Sequence, residues 1–333
     1  MPKKIVASLC DGMSCGAIAL DRLGLMNHSP HMDNDVEYHA FEIDKYAEAV
    51  SRMNYPEAIR HGDARNYTKL IGKDVFLLMG GFPCQPYSVA GQGKGDSDKR
   101  DLSTLIFDAL RELKPKYFLF ENVPMKPEDE LRITMGITEA YGGQDYVEPV
   151  LINSQDFSAH HRKRLYWTNI PIAPYEDKGI VLSDIIEDGM VDRDKSYCVD
   201  ANYFKGGSMK MYYEKSRRQL VFDTKGCHQV GEADIKGYDI IKRVYSTSGK
   251  APALTTMQGG HREPKINTDE LHWRALTPLE CERLQTVPDY YTNYGLFEEG
   301  GSFTPISNSQ RYKMLGNGWT VDVIQHIMEG MDI

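Results

Sequence analysis

The strongest constraint on this chain is an alternation in its first 120 residues. Short apolar runs there take turns with stretches whose apolar residues recur at helical spacing, and such a pattern has few ways to bury both kinds of face. Lys4–Leu9, Val36–Glu42, Asp74–Met79 and Tyr117–Phe120 read as strands. Between them, a stretch with Ile18, Leu20 and Leu23 on one side reads as a helix with Gly24 as its C-cap. Asp44–Asn54 is a second helix, ended by Tyr55-Pro56, and Leu102–Leu113 a third, halted at Lys114-Pro115. This βαβα order predicts a Rossmann-like parallel α/β sheet with helices on both faces. Val147–Ile152 and Arg164–Trp167 read as further strands.

After Pro171-Ile172-Ala173-Pro174 the character changes, and to about residue 270 the chain is rich in Gly, Tyr, Lys and Ser. That stretch predicts a smaller, loop- and strand-rich domain. Helical patterning returns near Leu279–Leu284 and at Thr320–Met328. The predicted division is therefore 1–175, 176–300 and a C-terminal segment 301–333 returning to the first domain. A length of 333 residues agrees with the usual prior of roughly 100–200 residues per domain.

Composition excludes several classes. With 41% hydrophobic and 26% charged residues the chain has a globular balance. Its first residues carry too short an apolar run for a signal peptide, and no stretch nears the roughly 18 apolar residues of a membrane helix. The expectation is a soluble, intracellular protein with no membrane partner. The six cysteines lie far apart with no Cys-x-x-Cys pair, which suggests neither a disulfide framework nor a metal site.

A net charge of −9 argues against polyanion binding, but the charge is unevenly spread. Lys205, Lys210, Lys215, Arg217 and Arg218 face Glu214 alone within 205–218, and Lys242, Arg243, Lys250, Arg262 and Lys265 cluster within 242–265. On charge alone, a solvated surface with scattered lysines explains them equally well.

Chemistry-bearing residues sit where the predicted strands end. Cys10-Asp11-Gly12-Met13-Ser14 follows the first strand and suits backbone approach to a cofactor, although an ordinary tight turn reads the same. It is not G-x-G-x-x-G, which removes the dinucleotide fingerprint and with it a Rossmann oxidoreductase. Glu42 follows the second strand, where an acid usually meets ribose hydroxyls, and Asp63 follows the next connection. Acids at strand tips suit an adenine amino group and a positive sulfonium better than a pyrophosphate, which favours S-adenosylmethionine over NAD. Cys84 lies in Gly80-Gly81-Phe82-Pro83-Cys84-Gln85-Pro86, where a Gly-Gly turn and stiffening prolines present a thiol instead of burying it as inert filling. Glu121 follows the fourth strand and is a candidate proton donor. Arg162 and Arg164, at i and i+2, face one side together, toward a phosphate, thiolate or carboxylate, or else form an exposed basic edge.

Taken together these blocks resemble the DNA cytosine-5 methyltransferase family. The matching segments, in order, are Leu9–Gly16, Phe41-Glu42-Ile43-Asp44, Asp63, Gly81-Phe82-Pro83-Cys84-Gln85, Glu121-Asn122-Val123, His160-His161-Arg162-Lys163-Arg164, Arg274–Gln285 and Leu315-Gly316-Asn317-Gly318-Trp319. Three segments depart from the usual pattern: Cys10-Asp11-Gly12 for Phe-Ala-Gly, His160 for Gln, and Gly-Asn-Gly-Trp for Gly-Asn-Ser/Ala-Val. The first and last of these look somewhat like the animal de novo methyltransferases.

The resemblance implies an S-adenosylmethionine-dependent methyltransferase sheet plus a target recognition domain. It implies Cys84 as the nucleophile that adds to cytosine C6, Glu121 at the ring N3, and Arg164 with Arg162 holding the base. It implies a cofactor site made by Cys10, Asp11, Gly12, Met13, Glu42, Ile43, Asp63, Ala64, Pro83, Leu105, Asn317 and Trp319, and no metal. The base must leave the duplex stack, and the glycine-rich loop Ser88–Asp101 is the candidate to close over it. Ser88, Gln92, Arg243, Tyr245, Ser246, Thr255, Thr256 and Gln258 are the candidate DNA contacts. The expected partner is double-stranded DNA, met by a monomer in the cytoplasm of a bacterial or phage-infected cell, within a restriction-modification system or standing alone. Two alternatives remain at this point: a transfer RNA cytosine-5 methyltransferase, and an inactive DNA-binding member of the family.

Overall fold

The structure is a computed structural model, and it describes residues 2–26, 35–82, 102–143, 145–222, 229–233, 236, 242–246, 265–267, 273–298 and 300–333. A seven-stranded sheet organises it: β1 (Lys4–Leu9), β2 (Val36–Phe41), β3 (Ile59–Arg60), β4 (Val75–Gly81), β5 (Tyr117–Asn122), β6 (Val150–Asn153) and β7 (Lys163–Thr168), in the order β3-β2-β1-β4-β5-β7-β6. The first five strands are parallel, as the alternation predicts. The last two differ, because β7 runs antiparallel to both β5 and β6. A short connection through residues 154–162 leaves no room for a crossover helix between β6 and β7, so they pair as neighbouring antiparallel strands.

Strand ends also differ from the sequence reading. Gly80 and Gly81 finish β4 instead of forming a turn, and Glu121 and Asn122 lie inside β5. The strand expected at 147–152 forms at Val150–Asn153.

The helices follow local chemistry. Helix α1 (Cys15–Arg22) buries Ile18 and Leu20 as expected. Asp44 caps α2 (Lys45–Asn54) by accepting from the Tyr46 amide at 2.9 Å. Helix α3 (Ser103–Leu113) was legible in the sequence; α4 (Pro127–Ala140) was not, although it begins with Pro127 and carries Glu128, Asp129 and Glu130 in its first turn.

Alternate strand residues point to opposite faces. Val6, Leu77 and Met79 join the core on one side of the sheet, and Ala7, Leu9, Leu78, Phe118 and Phe120 the core on the other.

Two short helices, α5 (Leu182–Ile185) and α6 (Met209–Lys215), lie in the second half. So do β8 (Leu220–Phe222) paired with β12 (Trp273–Ala275), and a small sheet of β9 (Gln229–Glu232), β10 (Arg243–Ser246) and β11 (Lys265–Asn267). Packing links residues on both sides of positions 176 and 300. Leu182, Val199, Tyr203, Leu276, Cys281, Leu284 and Tyr291 belong to the same core cluster as Val6 and Ile18. Helix α7 (Pro278–Leu284) is tied in by a capping box, Thr277 Oγ1 taking the Glu280 amide at 3.2 Å and Glu280 Oε2 taking the Thr277 amide at 2.7 Å. The hairpin β13 (Tyr294–Gly295) with β14 (Thr304–Pro305) docks on α2, where the Leu296 amide donates to the Ala49 carbonyl at 2.8 Å. Last come α8 (Asn308–Asn317) and α9 (Val321–Met328); α9 buries Val321, Val323, Ile324, Ile327 and Met328 and is joined to α1 by Arg22–Asp322 at 2.6 Å. At ~1.5–3 kcal/mol per buried large aliphatic side chain, that face holds the C-terminal segment firmly on the sheet.

Candidate active site

Strand order reverses between β1 and β4, and in open α/β sheets ligands bind in the crevice at that point. A cleft lies there, lined by Ser8 to Gly12, Cys15, Gly16, Gly81 and Asn317 to Trp319. The loop leaving β1 is held in a sparsely populated shape: Cys10 (φ 54°), Gly12 (φ 61°) and Ser14 (φ 66°) are all left-handed. Buried Asp11 holds it, accepting from the Ser14 and Tyr38 hydroxyls, while Ser14 Oγ also lies 2.7 Å from Ser51 Oγ. Burial raises the Asp11 carboxyl above its usual range, against the pull of those hydroxyls and of Arg60. The Asp11 side chain is thus spent on the loop, and Met13, outside the cleft lining, is buried with its carbonyl taking the Tyr291 hydroxyl at 2.8 Å. Space beside the Gly12 Cα is open to 4 Å.

Glu42 stands opposite. Its Oε2 accepts the Gly12 amide at 2.8 Å, and its Oε1 accepts Ile43 at 2.8 Å and Asp44 at 2.7 Å. Burial raises its carboxyl too, with those amides working the other way. Ile43 is 77% exposed, a large apolar platform at the mouth. Asp63 caps the turn Ala64–Leu70 and pairs with Arg65 at 2.7 Å, with Ala64 buried behind it. Leu105 is half-buried on α3. The Cys10 thiol is pushed up to about 12 by burial, with Glu42, Asp63 and Asp11 adding to it, and is a poor nucleophile at neutral pH.

The second half of the site lies across β4, β5 and β7. Glu121 is buried, and its two oxygens are divided: Oε1 meets Arg164 Nε at 2.7 Å and Oε2 accepts Trp319 Nε1–H at 3.1 Å. The antiparallel pairing of β5 with β7 aligns Glu121 with Tyr166 and so delivers Arg164, two residues away, to the carboxylate. Sequence reasoning made Glu121 a candidate proton donor; the structure gives it a guanidinium partner.

Arg162 is 3% exposed and points at backbone. Nη1 donates to the Val199 carbonyl at 3.2 Å and the Gly316 carbonyl at 3.3 Å, and Nη2 to Gly318 at 2.7 Å. Gln285 Nε2 supports the same segment through Leu315 at 2.6 Å and Gly318 at 3.1 Å. His160 is buried, with Nε2 3.3 Å from Thr320 Oγ1. Thr320 Oγ1 in turn donates to Gln285 Oε1 at 2.9 Å.

Sequence reasoning missed Cys198. Burial raises its thiol, but Arg162 and Arg164 on either side overcome that and lower it below the ordinary thiol value. It also missed the fully buried Glu280 and Glu282, neutralised by Arg274 at 2.7 Å and Arg311 at 3.0 Å, which make the Arg274–Gln285 block a structural clamp.

Cys84, Pro83, Ser88, Gln92, Thr255, Thr256 and Gln258 lie outside the described residues, as does the whole candidate closing loop Ser88–Asp101. The described chain reaches Phe82, buried at the end of β4, whose carbonyl accepts from Asn122 Nδ2 at 3.4 Å. Arg243 is exposed on β10, the strand that carries Tyr245 and Ser246. Among the described residues no group of acids, histidines and cysteines could hold a metal ion, and no helix is long and apolar enough to cross a membrane.

Orphan methyltransferase M.SPBetaI of Bacillus phage SPbeta is 27% identical, over 99% of this chain and 97% of its own length. Type II methyltransferase M.HhaI of Haemophilus parahaemolyticus is 27% identical, over 86% of this chain and 84% of its own. Among solved structures, the Entamoeba histolytica methyltransferase EhMeth superposes with a TM-score of 0.61 at 15% identity, over 99% of this chain and 98% of that one. A Spodoptera frugiperda DNMT2 mutant gives 0.61 at 18%, over 98% and 99%, and both likenesses bear on fold alone. The family described as C-5 cytosine-specific DNA methylase matches residues 6–332, and so this chain belongs to that family and is a DNA cytosine-5 methyltransferase.

Proposed function

We propose that the enzyme methylates C5 of a flipped-out cytosine in a specific duplex DNA sequence, with S-adenosylmethionine as donor and Cys84 as nucleophile. The observation that carries this reading is the junction where the strands end: Glu121, paired with Arg164 at 2.7 Å, lies directly across from Gly81 of β4, the strand that both lines the cleft and leads to Cys84.

The cleft suits the cofactor. Glu42, fixed by three amides, keeps lone pairs for ribose hydroxyls, and Ile43 offers an apolar face to adenine, with Asp63 and Ala64 beside it. Residues 10–12, with Asn317 and Trp319, would enclose the methionine end. S-adenosylmethionine bound there supplies an electrophilic methyl group on a positive sulfonium.

The protein's own residues supply the rest. The Cys84 thiolate adds to C6, Glu121 hydrogen-bonds at N3, and Arg164 balances the charge that develops on the ring. C5, now an enamine carbon, takes the methyl group; loss of the C5 proton then expels the thiolate. Arg162 serves chiefly by holding residues 316–318. The small sheet β9–β11, with Arg243 exposed on it, and the basic segments around it would carry target recognition through phosphate and base contacts.

The test is transfer of tritium from labelled S-adenosylmethionine to duplex DNA, with transfer RNA in parallel, for the parent, Cys84→Ser and Cys198→Ser. Label should enter DNA, vanish in Cys84→Ser and persist in Cys198→Ser. Label confined to RNA, or surviving Cys84→Ser, would overturn the reading. A stable adduct with DNA containing 5-fluorocytosine should form only while Cys84 is present.

A further inference from the structure

We propose that Trp319 is a positioning residue for Glu121, its indole N–H fixing the carboxyl that meets the target cytosine and tying it to the wall of the cofactor cleft. This rests on the role given to Glu121 above. The contact is buried at both ends, with Trp319 8% and Glu121 7% exposed, and the distance is 3.1 Å. An indole nitrogen is a donor only, so the carboxyl must present a lone pair of Oε2 to it. Arg164 takes Oε1 from another strand. Two donors on different oxygens, from different elements, leave the carboxyl little freedom to rotate about its last torsion.

The surroundings are shaped for this contact. A Cβ at Gly81 would lie 2.7 Å from Trp319 Nε1 and 3.1 Å from Glu121 Oε2, so no other residue fits between them without displacing one. The indole is itself held from behind. Its neighbour Gly318 is gripped through its carbonyl by Arg162 at 2.7 Å and Gln285 at 3.1 Å. Thr320, on its other side, meets Ser154 Oγ at 2.9 Å.

Trp319 thus has two neighbours of different kinds, the cleft on one side and the base-binding carboxyl on the other. Cofactor packed against the indole limits its swing and thereby the swing of Glu121. The site would then be set for a base only when the cofactor is in place.

The cleanest perturbation replaces Trp319 with β-(3-benzothienyl)alanine, which keeps the bicyclic shape and exchanges N–H for sulfur. Trp319→Phe and Glu121→Gln are made alongside it in the full chain. Tritium transfer to mixed-sequence duplex DNA gives kcat and KM, and calorimetry with S-adenosylmethionine gives its Kd. A misaligned catalytic group costs on the order of 10–100-fold, so kcat should fall by that factor in the benzothienyl and Phe variants. The cofactor Kd should stay within about threefold in the benzothienyl variant, because its packing surface is unchanged. Unchanged kcat in that variant overturns the proposal, as does a rise in cofactor Kd and KM with kcat intact, which would make Trp319 cleft wall only. If Glu121→Gln turns over like the parent, the role of Glu121 has failed, and the positioning of it falls as a consequence.

Discussion

Replacing Arg162 by Met separates a packing role for this arginine from a role at the base. The guanidinium is almost wholly buried and donates to the carbonyls of Val199, Gly316 and Gly318. Methionine fills similar volume and donates nothing. Gly318 would keep Gln285 at 3.1 Å, and Val199 only the weak thiol donor of Cys198 at 3.5 Å. Val199 is left as a buried acceptor and Gly316 as a half-buried one, each short of a partner, at up to ~1–3 kcal/mol each. Relief from burying a guanidinium offsets part of this, so the expected loss is ~2–4 kcal/mol. Urea unfolding measures it, with an unchanged m-value as the check that the denatured state is the same. Loosening of residues 316–319 should also weaken S-adenosylmethionine binding by about tenfold or more, equivalent to at least ~1.4 kcal/mol. Stability within ~0.5 kcal/mol of the parent, a typical surface-substitution effect, with cofactor binding intact and only kcat reduced, would refute the packing argument and put Arg162 on the base.

Two further outcomes follow from the same region. Gly316→Ala would set a Cβ 2.2 Å from the Ala201 nitrogen and 2.3 Å from the Asp200 carbonyl carbon, both backbone, so a loss of ~1–3 kcal/mol or more is expected in thermal or urea unfolding; a neutral result would mean that the two segments are not in contact. For His160, burial first, then Arg162 and Arg164, holds the ring well below its usual 6.5. The folded protein keeps it neutral while the unfolded chain protonates it, so its contribution is present above pH 6.5 and lost as pH falls below that value. His160→Gln should flatten the stability–pH slope between about pH 6.5 and 5 by up to ~1.4 kcal/mol per pH unit. An unchanged slope in urea titrations at several pH values would refute it; His39, also lowered by burial, accounts for part of the slope that remains.

Four of the five parallel strands were legible because each is a largely apolar run followed by Gly or an acid, whereas β3, only Ile59–Arg60, carries no such signal. The edge was not. Nothing local marks β7 as antiparallel, and so the delivery of Arg164 to Glu121, which depends on that pairing, could not be read. Glycines 80 and 81 look like a turn in sequence; they are strand residues kept small because the Leu9 carbonyl and the Trp319 indole press on them from distant parts of the chain. Helix α4 carried its cues in Pro127 and three acids, yet its apolar positions are too mixed to stand out. Arg162 reads like a ligand-facing cation beside Arg164, and only the fold shows it turned onto backbone from residues 199 and 316–318. The packing of residues 273–298 was hidden for a related reason, since they follow a loop-rich stretch but bury apolar side chains in the first core.

The cofactor cleft is sewn from segments near opposite ends of the sequence, residues 8–16 and 317–319, and the Arg22–Asp322 pair that holds them together spans 300 positions. During synthesis the ribosome releases the first wall long before it makes the second. A nascent chain can have its entire parallel sheet, including the strand that leads to Cys84, and still lack a closed cleft. By the reading of Trp319 given above, the carboxyl on the base side would also still be loose. Competence to methylate would then arrive in one step, when α9 docks on α1, and cofactor bound at that seam would in turn guard the last helix against fraying and proteolysis.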